Sequence, residues 1–226
     1  MTEVTATEQV GAAADPSVRQ FSTEELVEIR NERRSRIKVA RLHHHAIGTS
    51  DMEKTRQFYE DILGLPMVSS LKETINPSTG ERDPYLHCFF EMKDGSCIAF
   101  FQFANRGPTQ QIPRDAFDHH LAISVPDFDD LQLLKDRLEE NGYATAGVDH
   151  GFCFSVYVRD PNGMALELTA DPDNEIEINE DYARTAHAEY EGWMTRQDYE
   201  ANNEGRNGGV YPMKTSPVED IVKAMG

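Results

Sequence analysis

The chain predicts an α+β fold in which one structural unit is used twice in tandem, and three observations carry that prediction. His-His-His-Ala-Ile-Gly-Thr-Ser-Asp at residues 43–51 recurs as His-His-Leu-Ala-Ile-Ser-Val-Pro-Asp at residues 119–127, so His44 and His120 each stand seven residues before an aspartate. Each aspartate opens a segment whose apolar residues fall at helical spacing. Each helix is followed by two apolar, aromatic-rich runs separated by a glycine turn, the signature of a β-hairpin.

Residues 1–20 are polar and alanine-rich and are expected to be disordered. Ser22-Thr23-Glu24-Glu25 has capping-box spacing and opens a helix predicted to run through Arg36, with Leu26, Val27 and Ile29 as its apolar strip. A short strand then carries His44. Asp51 opens a helix with Phe58, Ile62 and Leu65 on one side, and Gly64 stops it. Tyr85 to Met92 and Ser96 to Phe103 form the first hairpin, turning at Asp94-Gly95. In the second copy a strand carries His120, Asp127 opens a helix with Leu131, Leu133, Leu134 and Leu138, and Gly142 closes it. Its hairpin runs from Phe152 to Val158 and from Met164 to Leu168 around Asp160-Pro161-Asn162-Gly163. Beyond it, Glu177 to Tyr199 reads as a helix rich in aromatics (Tyr182, Tyr190, Trp193, Tyr199), and Asn202 to Gly209 as a loop. The organisation is an arm and helix over 1–37, a repeated domain over 38–172 with modules at about 38–104 and 115–172, and a C-terminal extension over 173–226.

The two copies differ at one informative place. Four residues after the turn glycine stands Ala99 in the first copy and Glu167 in the second, a methyl group against a carboxylate. A tandem βαβββ unit with His before a helix-opening Asp, and a last strand reading Asp-Pro-Asn-Gly-x-x-x-Glu-Leu, resembles the vicinal oxygen chelate superfamily over residues 38–172. That superfamily includes glyoxalase I, methylmalonyl-CoA epimerase, fosfomycin-resistance enzymes, bleomycin-binding proteins and extradiol dioxygenases. The resemblance implies paired modules whose mixed sheet curls into a cup around one metal ion.

Position by position, the resemblance implies that His44, His120 and Glu167 hold the metal. Two imidazoles and one carboxylate on one face, with open positions opposite, is the donor set of non-haem Fe(II) oxygenases. Glyoxalase-like and epimerase-like relatives add a fourth ligand where this chain has Ala99. Gln102 cannot replace it without a bulge, because three residues along a strand is the opposite face. His43, His45 and His119, each next to a ligand in a strand, are expected to point away from the metal. By the same resemblance His150 and Tyr157 are the candidate catalytic residues, orienting substrate and moving protons. Ring-cleaving relatives carry a further acid/base His where Ser96 stands here, and His87 is a substitute to consider. Among Phe89, Phe90, Phe100, Phe101, Phe152 and Phe154, most are expected in the core and a few along an apolar pocket.

The leading expectation is an Fe(II)-dependent extradiol-type dioxygenase acting on a catechol-like diol and O2. The alternatives are a redox-neutral isomerase, lyase or thiol transferase using Mn, Zn, Ni or Co, and a metal-free small-molecule-binding protein. A net charge of −18 excludes the basic footprint that nucleic-acid binding needs and mildly disfavours anionic substrates. Cys88, Cys97 and Cys153 lie inside strands without metal or disulfide spacing and read as core residues of a reducing compartment. No signal sequence or membrane-length apolar run is present, so a cytoplasmic protein is expected; a homo-oligomer is expected too, with the N-terminal helix packing on the domain or a sister subunit and the C-terminal helix packing on a subunit neighbour or covering the cup.

Overall fold

A computed structural model describes residues 21–108, 118–195 and 211–225. The expected disorder of residues 1–20, the loop at 202–209, the last residues of the predicted helix ending at Tyr199 and the start of the second module at 115 lie outside them. No helix among the described residues is long and apolar enough to cross a membrane.

The described residues fall into two compact units. In one, α1 (Thr23–Ser35) packs with α4 (Glu175–Met194). The capping box forms as read, with Ser22 accepting from the Glu25 amide and Glu25 accepting from that of Ser22. Arg33 grips the buried Glu180 through two 2.7 Å bonds, and Arg30 pairs with Glu175 at 2.9 Å. A forked guanidinium on a buried carboxylate satisfies both oxygens, which explains how an acidic side chain can sit under this helix pair.

The other unit holds the repeat, residues 38–172, together with the last described segment. The first module is β1 (His44–Gly48), α2 (Met52–Arg56), β2 (Met67–Ile75), β3 (Arg82–Glu91) and β4 (Cys97–Phe103), and the second is β5 (His120–Ser124), α3 (Phe128–Glu140), β6 (Thr145–Asp149), β7 (Phe154–Arg159) and β8 (Ala165–Ala170). The two sheets have the same order, β1-β4-β3-β2 and β5-β8-β7-β6, with β1 parallel to β4 and β5 parallel to β8. Asp51 and Asp127 both cap their helices, accepting from the amides of Lys54 and Asp130. The hairpin glycines Gly95 and Gly163 sit at φ 78° and 84°, a region that favours glycine.

One departure from the predicted helices is local and has a physical reason. The helix that Asp51 opens widens after Arg56 into a π-helical turn over Gln57–Ile62, and Leu63 N–H bonds to Phe58 C=O. Widening reduces the angle between successive side chains, so the consecutive Phe58 and Tyr59 can both be fully buried. On the strands, Phe90, Ile98 and Phe100 face this helix, while Phe154, Val156, Leu166 and Leu168 are their counterparts in the second sheet. The segment before α5 (Val218–Met225) covers the outer edge of β6, where Ser216 N–H bonds to Gly147 C=O at 2.7 Å and Asp149 N–H to Thr215 at 3.0 Å.

A buried polar joint fastens the modules to one another. Tyr59 Oη donates to Asp160 Oδ2 at 2.9 Å, and the amides of Asn162 and Met164 each donate to Oδ1 at 2.8 Å. Asn162 Nδ2 bridges Asp160 and Thr55 of α2. Burial pushes the Asp160 carboxyl up, and the donors around it work against that rise. Asp160→Ala should therefore cost about 3–5 kcal/mol, since several buried donors lose their acceptor at once, against about 1–2 kcal/mol for Tyr59→Phe. Urea unfolding of both variants measures the difference, and equal midpoints would show that the other donors to Asp160 add nothing beyond the Tyr59 bond.

Candidate metal and proton-transfer site

The strand register places the repeat's asymmetry on one face of each sheet. His44 is opposite Cys97 and Ala46 opposite Ala99, just as His120 is opposite Ala165 and Ala122 opposite Glu167. Ala99 and Glu167 therefore occupy the same position of the two modules, as counting from the turn glycines had indicated. Tyr157 faces Glu167 across β7 and β8, and Ser155 and Thr169 face each other one pair along.

These side chains meet on the open face of the second sheet, away from α3. Glu167 is only 7% exposed, and its two oxygens have different partners. His120 Nε2 lies 2.9 Å from Oε2, while Ser155 Oγ donates to Oε1 at 2.5 Å. His150 Nε2 is 3.0 Å from the Tyr157 hydroxyl and 3.6 Å from Glu167 Oε1. Burial and the adjacent Glu167 carboxylate hold the Tyr157 phenol well above its usual pKa, so it is a proton donor throughout the neutral range.

His44 stands at the matching place on the first sheet. Its ring centroid is 5.4 Å from Phe89 and 6.3 Å from His87, and its Nδ1 lies 2.8 Å from Nδ1 of His43. His87 stacks on Phe101 with centroids 3.6 Å apart, and its Nδ1 bonds to the Phe100 carbonyl; burial lowers its pKa, favouring neutral imidazole. Tyr85, Phe101 and Phe103 continue this aromatic surface. The second sheet thus presents polar groups where the first presents rings. Phe90, Phe100 and Phe154 are core, Phe89 and Phe101 are half-buried on the open face, and Phe152 is exposed.

Gln102 behaves as strand alternation required. It points to the helix side and its Oε1 accepts the Met52 amide at 2.9 Å, closing the first turn of α2. Ser96 is likewise committed, bonding to Asp94 within the hairpin turn. His45 lies near His119 and, through burial first and that neighbouring imidazole second, has a lowered pKa.

The donor atoms can be tested against a metal's requirements. Ligand bonds of about 2.1 Å at right angles separate two donors by about 3.0 Å, and His120 Nε2 to Glu167 Oε2 is 2.9 Å. His44, with Nδ1 against His43, offers Nε2, and a ligating imidazole ordinarily has its other nitrogen so engaged. Among the described residues no cluster of three or more His, Cys, Asp or Glu is already drawn to metal-holding distances. Of the five residues picked out from sequence, the structure brings His120, His150, Tyr157 and Glu167 together, and places His44 on the first sheet among His43, His87 and Phe89. Ser155 was missed. Its only sequence signal was its position two residues before Tyr157, on the same strand face.

Comparison with known proteins agrees with this architecture. Residues 41–168 match the family model described as the glyoxalase/bleomycin resistance protein/dioxygenase superfamily. The chain is 28% identical over 144 residues to biphenyl-2,3-diol 1,2-dioxygenase 3 of Rhodococcus globerulus, covering 63% of this chain and 69% of that one. Similar solved structures include a glyoxylase/bleomycin resistance protein/dioxygenase domain from Frankia sp. EAN1pec, at 20% identity and a TM-score of 0.49, covering 60% of this chain and 95% of that one. A glyoxalase/dioxygenase from Nostoc punctiforme is 26% identical with a TM-score of 0.45, covering 60% and 94%. The fosfomycin resistance protein FosX of Listeria monocytogenes is 18% identical with a TM-score of 0.44, covering 61% and 97%. The repeated βαβββ topology and a family match spanning both modules make this chain a member of the glyoxalase/bleomycin resistance protein/dioxygenase superfamily.

Proposed function

We propose that the chain is a non-haem Fe(II)-dependent extradiol-type dioxygenase that opens the ring of a catechol-like diol using O2. The observation that carries this reading is the Tyr157–His150 hydrogen bond beside Glu167, a proton-handling pair adjoining a metal-ligand candidate. The likeness to a biphenyl-diol dioxygenase supports it, as does Ala99, which leaves the donor set at three where a fourth ligand would fill an open position.

In this reading His44, His120 and Glu167 hold the iron, with Mn, Zn, Ni or Co as other occupants to test. Bound Fe(II) would acidify the diol and bring it together with O2, the diol itself being the net reductant. His150 Nε2 is the base that receives a diol proton. In the His150 tautomer that leaves Nε2 unprotonated, Tyr157 Oη donates to that nitrogen across 3.0 Å. Once Nε2 carries a proton it must donate instead of accept, which frees the phenol proton to bond to a substrate oxygen. The rings of Phe89 and Phe101 offer the substrate an apolar surface.

The test is O2 consumption by anaerobically iron-loaded protein over a panel of catechols, with uptake and a coloured ring-opened product expected. Absence of uptake with every diol, while a Zn, Ni or Mn form turns over a thiol adduct, an epoxide or an acyl thioester, would replace this reading with a redox-neutral one. Binding of a small molecule without metal or turnover would replace both.

A further inference from the structure

We infer that Ser155 is a positioning residue which keeps Glu167 a one-oxygen ligand, so that the carboxylate occupies a single coordination position and leaves the opposite face open. The inference rests on the reading of Glu167 as a metal ligand and extends it to a residue with no assigned role. A free carboxylate near a metal can bind through one oxygen or both. Here the two oxygens are already distinguished: Oε2 is at ligand spacing from His120 Nε2, 2.9 Å, and Oε1 receives the Ser155 hydroxyl at 2.5 Å. That hydroxyl is itself fully buried and fixed from behind. Thr169 Oγ1 lies 3.3 Å from Ser155 Oγ and Cys153 Sγ lies 3.7 Å away. The 2.5 Å contact to Glu167 takes the Ser155 proton in preference to the 3.3 Å contact with Thr169 Oγ1, whose own hydroxyl is directed at the Phe154 carbonyl, and the Cys153 thiol is the neighbour able to donate to Ser155 Oγ.

The register adds an independent argument. Ser155 and Tyr157 alternate along β7 on the face that Glu167 and Thr169 present from β8, so backbone pairing fixes hydroxyl and carboxylate together. The charge-assisted bond lowers the negative charge on Oε1 and leaves Oε2 the better donor. Loss of the hydroxyl would release Oε1 toward the metal, exchanging an open position for a second carboxylate bond.

Co(II) titration of the full chain tests this, with affinity read by chelator competition and coordination number by the intensity of the visible d–d bands, which weaken as ligands are added. Ser155→Ala should show clearly weaker bands, because the released Oε1 adds a ligand, with Co(II) held at least as tightly as in the wild type. Ser155→Thr, which keeps the hydroxyl, should restore the wild-type spectrum. Thermal melting of the metal-free proteins provides the structural control: one cooperative transition in each shows that all three fold, with that of Ser155→Ala lowered by the lost bond to a buried carboxylate. A wild-type spectrum in Ser155→Ala would overturn the inference, as would a spectral change in Ser155→Thr equal to that in Ser155→Ala. A Glu167→Ala arm separates the two levels of argument. If that variant binds Co(II) like the wild type, Glu167 is no ligand and both readings fall; if it loses the metal while Ser155→Ala keeps the wild-type spectrum, the role of Ser155 alone is wrong.

Discussion

Glu167→Ala should leave the protein almost metal-free after anaerobic iron loading and gel filtration at micromolar concentration, with the fold intact. The carboxylate is the only anionic member of the proposed donor set, so its removal takes away both a bond and the charge that offsets a divalent cation. Two neutral imidazoles remain, on different strands, and an affinity loss of at least about 100-fold is the expected scale, at the upper end of what even an outer-shell change costs. His120→Ala should have a similar effect, because His120 Nε2 is the atom already at ligand spacing from Oε2. Gln102→Ala is the informative contrast. That side chain bonds to the Met52 amide on the helix side of β4, so the variant should keep its metal and lose only the roughly 1 kcal/mol of a helix-terminal hydrogen bond. Elemental analysis of the three variants checks all of this at once. Unchanged iron in Glu167→Ala would remove it from the ligand set, and loss of iron in Gln102→Ala would show that β4 presents the other face to the metal.

Much of this site could be read from residue order because the protein repeats itself. A lone histidine in a strand carries little information, but His44 and His120 at one offset from a capping aspartate define equivalent positions, and equivalence made Ala99 and Glu167 comparable before any pairing was known. The register His44 to Cys97 and His120 to Ala165 is the physical basis of that comparison. Helix caps and hairpin turns were legible for the same local reason: Ser22, Asp51, Asp127, Gly95 and Gly163 act on backbone groups within a few residues.

What stayed illegible depends on contacts distant in sequence. Tyr59 and Asp160 are 101 residues apart, and neither a helix pattern nor a turn motif says that one hydroxyl will meet the other's carboxylate. The π-helical turn escaped because helical periodicity over a dozen residues does not reveal one widened turn; two adjacent, wholly buried aromatics were its trace. Ser155 escaped because a serine in an apolar strand looks like any small core residue until Glu167 is placed opposite the adjoining position.

The other large effect concerns proton transfer. Tyr157→Phe and His150→Ala should each lower kcat for diol-dependent O2 uptake by about 10²-fold, within the range general acid–base groups contribute, with KM changed only a few-fold. The split follows from the geometry. Tyr157 Oη and His150 Nε2 are 3.0 Å apart, within hydrogen-bond reach of each other, so neither is needed to retain a chelated diol, while both are needed when a proton moves between them. A phenol held above its usual pKa cannot act as the base at neutral pH, which assigns that step to His150 and leaves Tyr157 as the donor that follows. If the two work as one unit, the double variant should be little slower than either single one, because breaking either member already disables the exchange. Independent roles would instead multiply, giving about 10⁴-fold. Steady-state kinetics of the two single variants and the double variant, at equal iron content, distinguishes these outcomes, and kcat unchanged in Tyr157→Phe would exclude the phenol from the proton path altogether.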